Sequence, residues 1–328
     1  MSGRGRLPKQ ISIPIPTDET GMVGRECPGQ RCEGYFKIQP GTGLKGDNLP
    51  CICPYCGHKG PHDHFWTKEQ IEYAKSYAFR KISGHIAKEL KKLEFKQPAR
   101  GPFGIGLSMT VKPGPKPPLR YYREKALETE VVCEQCTLRY SVFGVFAFCP
   151  DCGAHNSRQI LEKNLDLVIK ILDYADGAPS AELVEHLIQN ALEDIVSTFD
   201  GFGLELVRVH AGRATDPAKV EKISFQSLIV ADGAMQRLFG VSLQAMTEAE
   251  KWTLLVRGFQ KRHLIAHKGG VIDRQYVEQS GDCTAIVGRK VRVTPGEVRE
   301  LAAIVGSLGA NLWEFFAQAE SKTTKGAI

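Results

Sequence analysis

Long hydrophobic runs are missing from this 328-residue chain. No apolar stretch approaches the ~18 residues that a membrane-spanning helix needs, so we expect no membrane association. Residues 1–19 also lack the apolar centre of a secretory signal, which favours an intracellular, cytoplasmic location. With 42% hydrophobic and 24% charged residues, the composition is that of a soluble globular protein of two or three domains.

Acidic residues are scarce in the front part of the chain. Residues 1–125 carry 22 Lys and Arg against 11 Asp and Glu, a net charge of +11. Residues 126–328 carry 21 against 26, a net charge of −5. This asymmetry indicates that the front half binds a polyanion such as a nucleic acid. The alternative is that its Lys-rich helix serves only solubility.

Cysteine is almost absent from the back half. Nine of the ten cysteines lie within residues 27–152, and Cys283 is the tenth. Several of these cysteines form pairs with two residues between them. In a chain for which we expect no export signal, such pairs indicate metal binding rather than disulfides. The role of Cys283 is not predicted.

The second cysteine cluster has the sharper pattern. Cys133 and Cys136 are followed, after twelve residues, by Cys149 and Cys152. Each C-x2-C pair predicts a tight turn that directs two thiolates at one ion, and two such turns complete a tetrahedral zinc site. The flanks "ETEVVC" and "YSVFGVFAFC" favour strands. A redox C-x2-C is the alternative, and the lack of a βαβ context argues against it.

The first cluster is looser, but one of its turns repeats the same chemistry. The turn "CPYCG" at 53–57 resembles "CPDCG" at 149–153. We predict a second structural zinc here, bound by Cys27, Cys32, Cys53 and Cys56, with Cys51 unassigned. Three histidines nearby are alternative ligands: His58, His62 and His64. Both clusters thus resemble zinc ribbons, in which protein ligands fill all four positions on the ion.

Between the clusters the pattern predicts a basic amphipathic helix at 66–96. Thr67 and Gln70 have the spacing of a capping box. The apolar residues expected on one face are Ile71, Ala74, Tyr77, Ala78, Ile82, Ile86 and Leu90. The cations expected on the opposite, nucleic-acid-binding face are Lys75, Arg80, Lys81, Lys88, Lys91 and Lys92. A stretch dense in proline and glycine follows at 97–120 and is predicted to be a linker.

The sequence pattern of the back half is typical of helices. Five periodic apolar segments predict an all-α bundle, with a short strand pair at 204–209 and 284–293. The predicted segments are a flexible lead (1–22), a first zinc ribbon (23–65), the basic helix (66–96), the linker (97–120), a second zinc ribbon (121–155) and the helical domain (156–328).

The helix predicted over 247–267 ends with Arg262, His263 and His267. The two histidines share a face, whereas Arg262 lies roughly 140° from His267 around the helix. One reading is a solvated helix end, because cations are favourable there. A metal site at the two histidines is another, but no third ligand is evident. A third reading is a catalytic site at a dimer interface, to which two antiparallel copies of the helix both contribute residues.

The segment "RHLIAH" (262–267) resembles the R-polar-x3-H motif of HEPN domains, near the end of a long helix in an all-α bundle. The following "GGVIDRQYV" and the later "GRKVRVTPGEVRELAAIVGSLGANLWEFF" are also similar to that family, over about residues 157–320. The resemblance implies a metal-independent endoribonuclease at a homodimer interface. His267 would then transfer protons, Arg262 would bind the scissile phosphate and His263 would orient it, leaving 2′,3′-cyclic phosphate ends. Gly269 stands where some members carry a modifiable tyrosine, so a modification-controlled toxin role is not expected.

The fold class predicted is therefore two small β-rich zinc ribbons followed by an all-α HEPN-like bundle. The expected cofactors are two structural Zn²⁺ ions. The expected partners are RNA, with DNA as an alternative polymer, a second copy of the chain, and a protein partner or trigger. By analogy, such a combination suggests prokaryotic antiviral defence or stress response. The competing hypothesis is a non-enzymatic nucleic-acid-binding adaptor whose bundle only dimerises.

Overall fold

A computed structural model describes residues 10–46, 48–97, 107–112 and 114–325, with side chains to residue 318. The chain divides into two compact parts, called here the N-terminal unit (Met1–Ala154) and the C-terminal unit (His155–Ile328). Sheets are confined to the N-terminal unit, and the described part of the C-terminal unit is helical, as the sequence predicts. No described helix combines the length and the apolar character that crossing a membrane requires.

The main sheet of the N-terminal unit has four antiparallel strands in the order β1-β2-β8-β7. They are β1 (Val23–Glu26), β2 (Tyr35–Ile38), β7 (Thr129–Val132) and β8 (Arg139–Val142). Phe36 and Val142 have no exposed surface and Tyr140 has 1%, so these strands contribute side chains to one small core. Because β2 pairs with β8, the two cysteine clusters predicted as separate ribbons share a single sheet.

Two hairpins accompany this sheet. The strands β3 (Pro50–Ile52) and β4 (Lys59–Pro61) enclose the turn that contains Cys53 and Cys56. The strands β5 (Phe95–Gln97) and β6 (Leu107–Met109) pair across the start of the predicted linker. The linker prediction therefore missed a strand at 107–109, while residues 98–106 lie outside the described part.

Helix α1 (Lys68–Lys91) begins at the predicted capping box. The backbone N–H of Gln70 donates to Thr67 Oγ1 at 3.1 Å, and the backbone N–H of Thr67 donates to Gln70 Oε1 at 3.2 Å. The buried side of α1 is not the predicted apolar face, because Gln70 and Tyr73 are its buried residues. Tyr73 packs against the rings of Tyr121 and Tyr122 at 6.3 and 5.8 Å. On the predicted apolar face no residue is fully buried, and Ile71, Ile86 and Leu90 are 42%, 46% and 45% exposed.

The C-terminal unit contains six α-helices in its described residues. They are α2 (Ser157–Ala175), α3 (Ala181–Val209), α4 (Leu228–Phe239), α5 (Ala249–Lys268), α6 (Arg274–Ser280) and α7 (Pro295–Lys325). One large hydrophobic cluster joins α2, α3, α4, α5 and α7. Phe199 at its centre packs edge-on against Phe225 and Phe259, at 5.9 and 6.1 Å between ring centroids.

Glycine positions helix α5 within this unit. A Cβ atom at Gly258 would lie 2.7 Å from Leu301 Cδ2, so the absence of a side chain lets α5 approach α7 closely. At the other end, Gly269 adopts a φ of 59° and terminates the helix. The position and the end of α5, where Arg262 and His267 lie, are therefore set by two glycines.

The predicted strand pair at 204–209 and 284–293 is wrong. Residues 204–209 form the last turns of α3, where Leu206 and Val207 continue its buried helical stripe. In the second segment the described pairing is a single bridge between Val271 and Lys290. Local β-branched content suggested strands, but burial against the helical core favours the helix.

Candidate functional site

The first cysteine cluster brings together the four thiols predicted from the sequence. Cys27 Sγ lies 3.7 Å from Cys56 Sγ, and Cys32 Sγ lies 3.7 Å from Cys53 Sγ. The turn after β3 closes when Gly57 N donates to the Cys53 carbonyl at 3.0 Å, with Gly57 at a φ of 70°. Cys51 is fully buried in β3 outside the cluster, and His58, His62 and His64 do not belong to it.

The second cluster repeats this geometry. Cys133 Sγ lies 3.6 Å from Cys152 Sγ, and Cys136 Sγ lies 3.4 Å from Cys149 Sγ. The amide of Thr137 donates to the Cys133 carbonyl at 2.8 Å, and that of Gly153 donates to the Cys149 carbonyl at 2.9 Å. The residue that follows each C-x2-C turn is left-handed here too, with φ of 64° at Thr137 and 75° at Gly153.

These distances fit a tetrahedral metal centre. Sulfur atoms at the corners of a tetrahedron with bonds of ~2.3 Å lie roughly 3.8 Å apart. In each cluster all four thiols lie within 4.8 Å of one another. The two groups can therefore hold two metal ions, and an all-sulfur set with four protein ligands is compatible with zinc. Cys283 is exposed and lies in the C-terminal unit.

The arginine of the predicted catalytic set is anchored inside the C-terminal unit. The Arg262 side chain is only 12% exposed and forms an ion pair of 3.3 Å with Glu193 of α3. It also donates to Gln226 Oε1 at 3.2 Å, while its Nε is buried without a hydrogen-bond partner among the described residues. The guanidinium is thus oriented by two side chains that lie far from it in sequence.

The two histidines lie together at the end of α5. The rings of His263 and His267 have centroids 5.0 Å apart and are inclined by 55°. His267 is exposed and His263 is half-buried. Burial lowers the pKa of His263, and the neighbouring His267 and Lys268 lower it further. His263 is therefore neutral at pH 7, when its ring offers one donor and one acceptor nitrogen.

Residues that were not predicted from the sequence support this helix end. Lys261, next to Arg262, is 7% exposed, and its ammonium donates to the Arg292 carbonyl and to Glu297, each at 2.8 Å. Burial opposes ionisation of Glu297, but the ion pair with Lys261 and the hydrogen bonds from Thr294 together outweigh it and lower its pKa. Lys261 falls among the buried apolar positions of α5, and this placement was a sequence signal that it has a buried partner. Nothing local in the sequence indicated Glu193 or Gln226 as partners of Arg262.

The predicted nucleic-acid-binding cations of α1 are accessible but only partly unpaired. Lys75, Lys81, Lys88, Lys91 and Lys92 are exposed, and Arg80 is half-buried. Lys75 and Lys92 form ion pairs with Glu72 and Glu89 three residues away. Lys75 follows Ile71 by four residues, so the two share a face of the helix, and the other five cations lie on other faces. The contiguous basic surface is therefore the C-terminal half of the helix.

The end of α5 thus carries an exposed and a half-buried histidine in contact, together with an anchored arginine, and the N-terminal unit has two four-cysteine centres. Comparisons of the chain with protein-family models, with curated proteins and with solved structures find no match.

Proposed function

We propose that this chain is a metal-independent endoribonuclease of the HEPN type, with Arg262, His263 and His267 as its catalytic residues. One observation carries the proposal. The two histidine rings of the R-H-x3-H motif lie side by side at the end of α5, and the arginine of the motif is held on the same helix by Glu193. A solvated helix end would need none of the connections that hold Arg262.

The chemistry needs only groups that the chain supplies. His267 would accept the proton of a ribose 2′-hydroxyl, whose oxygen then bonds to the adjacent phosphorus. The bond between phosphorus and the 5′-oxygen breaks, and that oxygen takes up the proton that His267 had accepted, which returns the imidazole to its starting form. Arg262 would neutralise the charge on the phosphate through its planar fork of donors. His263, neutral at pH 7, would hydrogen-bond to a phosphate oxygen or to His267.

The cysteine centres would have a structural role. We assign Zn²⁺ to both, because four thiolates leave no open position on the ion for a substrate. The zinc would stabilise the small shared sheet, and the N-terminal unit with α1 would bring RNA to the bundle. Cleavage itself would not involve either ion.

A cleavage assay on single-stranded RNA tests the proposal. We expect cutting in the presence of EDTA, over a time too short to remove the structural zinc, with products ending in 2′,3′-cyclic phosphate. DNA of the same sequence should resist, because it has no 2′-hydroxyl. Purified chain that binds RNA without cutting it under any condition tested would favour the adaptor hypothesis.

Assembly can be tested with two inactive variants. Arg262 and His267 diverge around α5, so we propose a homodimer in which the arginine of one copy serves the histidine of the other. Mixing Arg262→Ala chains with His267→Ala chains, under conditions that exchange subunits, should restore about a quarter of the parent activity, because half the dimers then hold one intact site. Light scattering should give the mass of two chains. A mixture as inactive as its components would contradict a shared site.

The basic surface of α1 gives a further prediction. Reversing Lys88, Lys91 and Lys92 to Glu in a His267→Ala background should weaken RNA binding at least about tenfold and reduce its dependence on salt, because phosphate contacts are lost. The matched control reverses Lys163, Lys170 and Lys222, three exposed lysines of the C-terminal unit. Equal weakening by both triple variants would mean that only net charge matters. Fluorescence anisotropy with a labelled RNA measures the binding.

A further inference from the structure

The segment after α6 returns to the end of α5. Residues 282–294, called here the strap, are held by backbone hydrogen bonds to the residues that follow His267. Val291 N donates to the Gly270 carbonyl at 2.8 Å, and Gly288 N donates to the Ile272 carbonyl at 2.8 Å. Ile272 N in turn donates to the Arg289 carbonyl at 2.9 Å. The strap is thus fixed beside the motif rather than free to move from it.

A buried lysine ties the strap to the motif a second time. The Lys261 side chain is 9% exposed, and its ammonium is satisfied by the Arg292 carbonyl and the Glu297 carboxylate. Burying an ammonium is costly unless it is paired and hydrogen-bonded, so these contacts make the position of residue 292 specific. The residue that precedes Arg262 therefore sets where the end of the strap lies.

This anchoring leaves three strap cations in solvent. Arg289, Lys290 and Arg292 are exposed and have no ion-pair partner among the described residues. They line a groove of about 1010 Å³ between the strap and α3. Lys290 also lines an adjoining groove of about 340 Å³ that reaches Gly269 and Gly270, at the end of the motif helix.

The carboxylates of the groove do not cancel this charge. Glu297 is paired with Lys261, and Glu185 accepts a hydrogen bond from Gln189 at 3.1 Å. Asp282 accepts from Tyr276 Oη at 3.0 Å and from Thr284. A further cation, Arg257, donates to the carbonyls of Ser280 and Gly281. Burial opposes ionisation of Asp282, but the hydrogen bonds from Thr284 and Tyr276 offset it, and the charge of Arg257 helps to lower the pKa of Asp282. Five cations thus face three carboxylates.

We infer that the strap binds the phosphates of a single-stranded RNA next to the phosphate that is cut. The inference rests on the proposed function, since it places the substrate strand of that same site. Three cations within four residues span roughly 10 Å of extended chain, enough to contact more than one phosphate. Arg289, Lys290 and Arg292 are therefore substrate-binding residues, distinct from the proton-transferring histidines.

Lysine footprinting tests the inference locally, whatever RNA the N-terminal unit also binds. Full-length His267→Ala protein is acylated with and without a short single-stranded RNA, and each lysine is quantified by mass spectrometry. We expect RNA to protect Lys290 several-fold and to leave Lys163 and Lys170 unprotected. Unchanged reactivity of Lys290 on saturation with RNA would overturn the inference. Protection by poly-glutamate but not by RNA would overturn it in favour of an acidic protein partner.

A kinetic comparison separates this inference from the proposed function. Changing the three strap cations to Gln in the active protein should raise KM roughly 10- to 50-fold and reduce the salt slope by about 2, with kcat little changed. The matched control changes Lys163, Lys170 and Lys222 to Gln. An unchanged KM, with cleavage still lost in His267→Ala, would reject the strap and keep the nuclease. Lys290 protection together with full cleavage by His267→Ala would reject the catalytic assignment and keep an RNA-binding strap.

Discussion

Replacing His267 by alanine is expected to reduce RNA cleavage by about 10²- to 10⁴-fold, the range that a positioned general acid or base contributes. Imidazole is the side chain that most often transfers protons in enzymes, and His267 is the exposed imidazole of the motif. The guanidinium of Arg262 has donors only, so its role is to stabilise charge. Cleavage rate on a fixed single-stranded RNA, with product ends identified by phosphatase resistance, measures the loss.

The fold should survive this change. His267 is exposed at the end of α5, so truncating it removes little packing. His64→Ala is the matched control, because His64 is an exposed histidine of the N-terminal unit that belongs to neither cysteine centre. A folded His267→Ala protein of the same mass as the parent, cutting RNA at the parent rate, would show that the catalytic assignment is wrong.

Arg262 needs a subtler variant, because it is not in an open solvent cleft. Its side chain is 12% exposed, and truncation to alanine would also remove its stem from the bundle and break the pair with Glu193. Because Glu193 is 49% exposed, solvent screens this pair, and most of the destabilisation that accompanies the lost activity should come from the buried stem of Arg262. Arg262→Lys keeps the charge but not the planar fork, and we expect a loss of roughly 10²-fold with near-parent stability.

Features that depend on neighbours in sequence could be predicted from it. The capping box at Thr67 needs only residues three apart, and the structure has both of its hydrogen bonds. The cysteine turns likewise depend on two-residue spacings, and the four thiols expected at each centre lie together. The helical back half followed from apolar periodicity over long windows, where helix prediction is most dependable.

Features that depend on distant residues could not be predicted. The pairing of β2 with β8 joins residues about a hundred positions apart, and no local pattern specifies it. The burial of Gln70 and Tyr73 rather than Ile71 depends on residues 121–124, which supply Tyr121, Tyr122 and the acceptor Glu124. The partners of Arg262 lie 69 and 36 residues away along the chain. In each case contacts with residues distant in sequence determine the pairing, the burial or the hydrogen-bond partner.

The flank of the second cluster was mispredicted for a local reason. The stretch "YSVFGVFAFC" predicted one strand running to Cys149, but β8 ends at Val142. Gly144 takes a φ of 78°, which breaks the extended run. Phe143 and Val145 are 44% and 50% exposed, so they do not belong to the core that β8 supplies. The buried strand residues are therefore Tyr140 and Val142.

Loss of a cysteine ligand is expected to remove a zinc ion and destabilise the N-terminal unit. Purified parent protein should contain two zinc ions per chain, and Cys149→Ser should contain at most one. Structural zinc contributes about 10–16 kcal/mol of apparent binding free energy in small modules, which equals or exceeds the 5–15 kcal/mol stability of a typical domain. Cys149 has no exposed surface, so the serine would also leave a polar group buried.

The shared sheet determines how far the damage extends. Ile38 and Lys37 of β2 pair with Tyr140 and Ser141 of β8. Losing the second zinc should therefore release Tyr140 and Val142 and leave β2, which precedes part of the first centre, without its partner strand in the middle of the sheet. We expect rapid proteolysis within residues 10–154, whereas the helical signal in circular dichroism largely persists, because most of it comes from the C-terminal unit.

Two other cysteines provide matched controls for this experiment. Cys51→Ala removes a fully buried thiol that lies outside both centres, and Cys283→Ser changes an exposed one in the C-terminal unit. Both variants should keep two zinc ions, although Cys51→Ala should lower the unfolding temperature because it leaves a small cavity. Two zinc ions and parent protease resistance in Cys149→Ser would show that this thiol is not a ligand. Zinc loss in Cys51→Ala, with Cys56→Ser unaffected, would instead move the first centre toward Cys51, against the sulfur distances on which it is assigned.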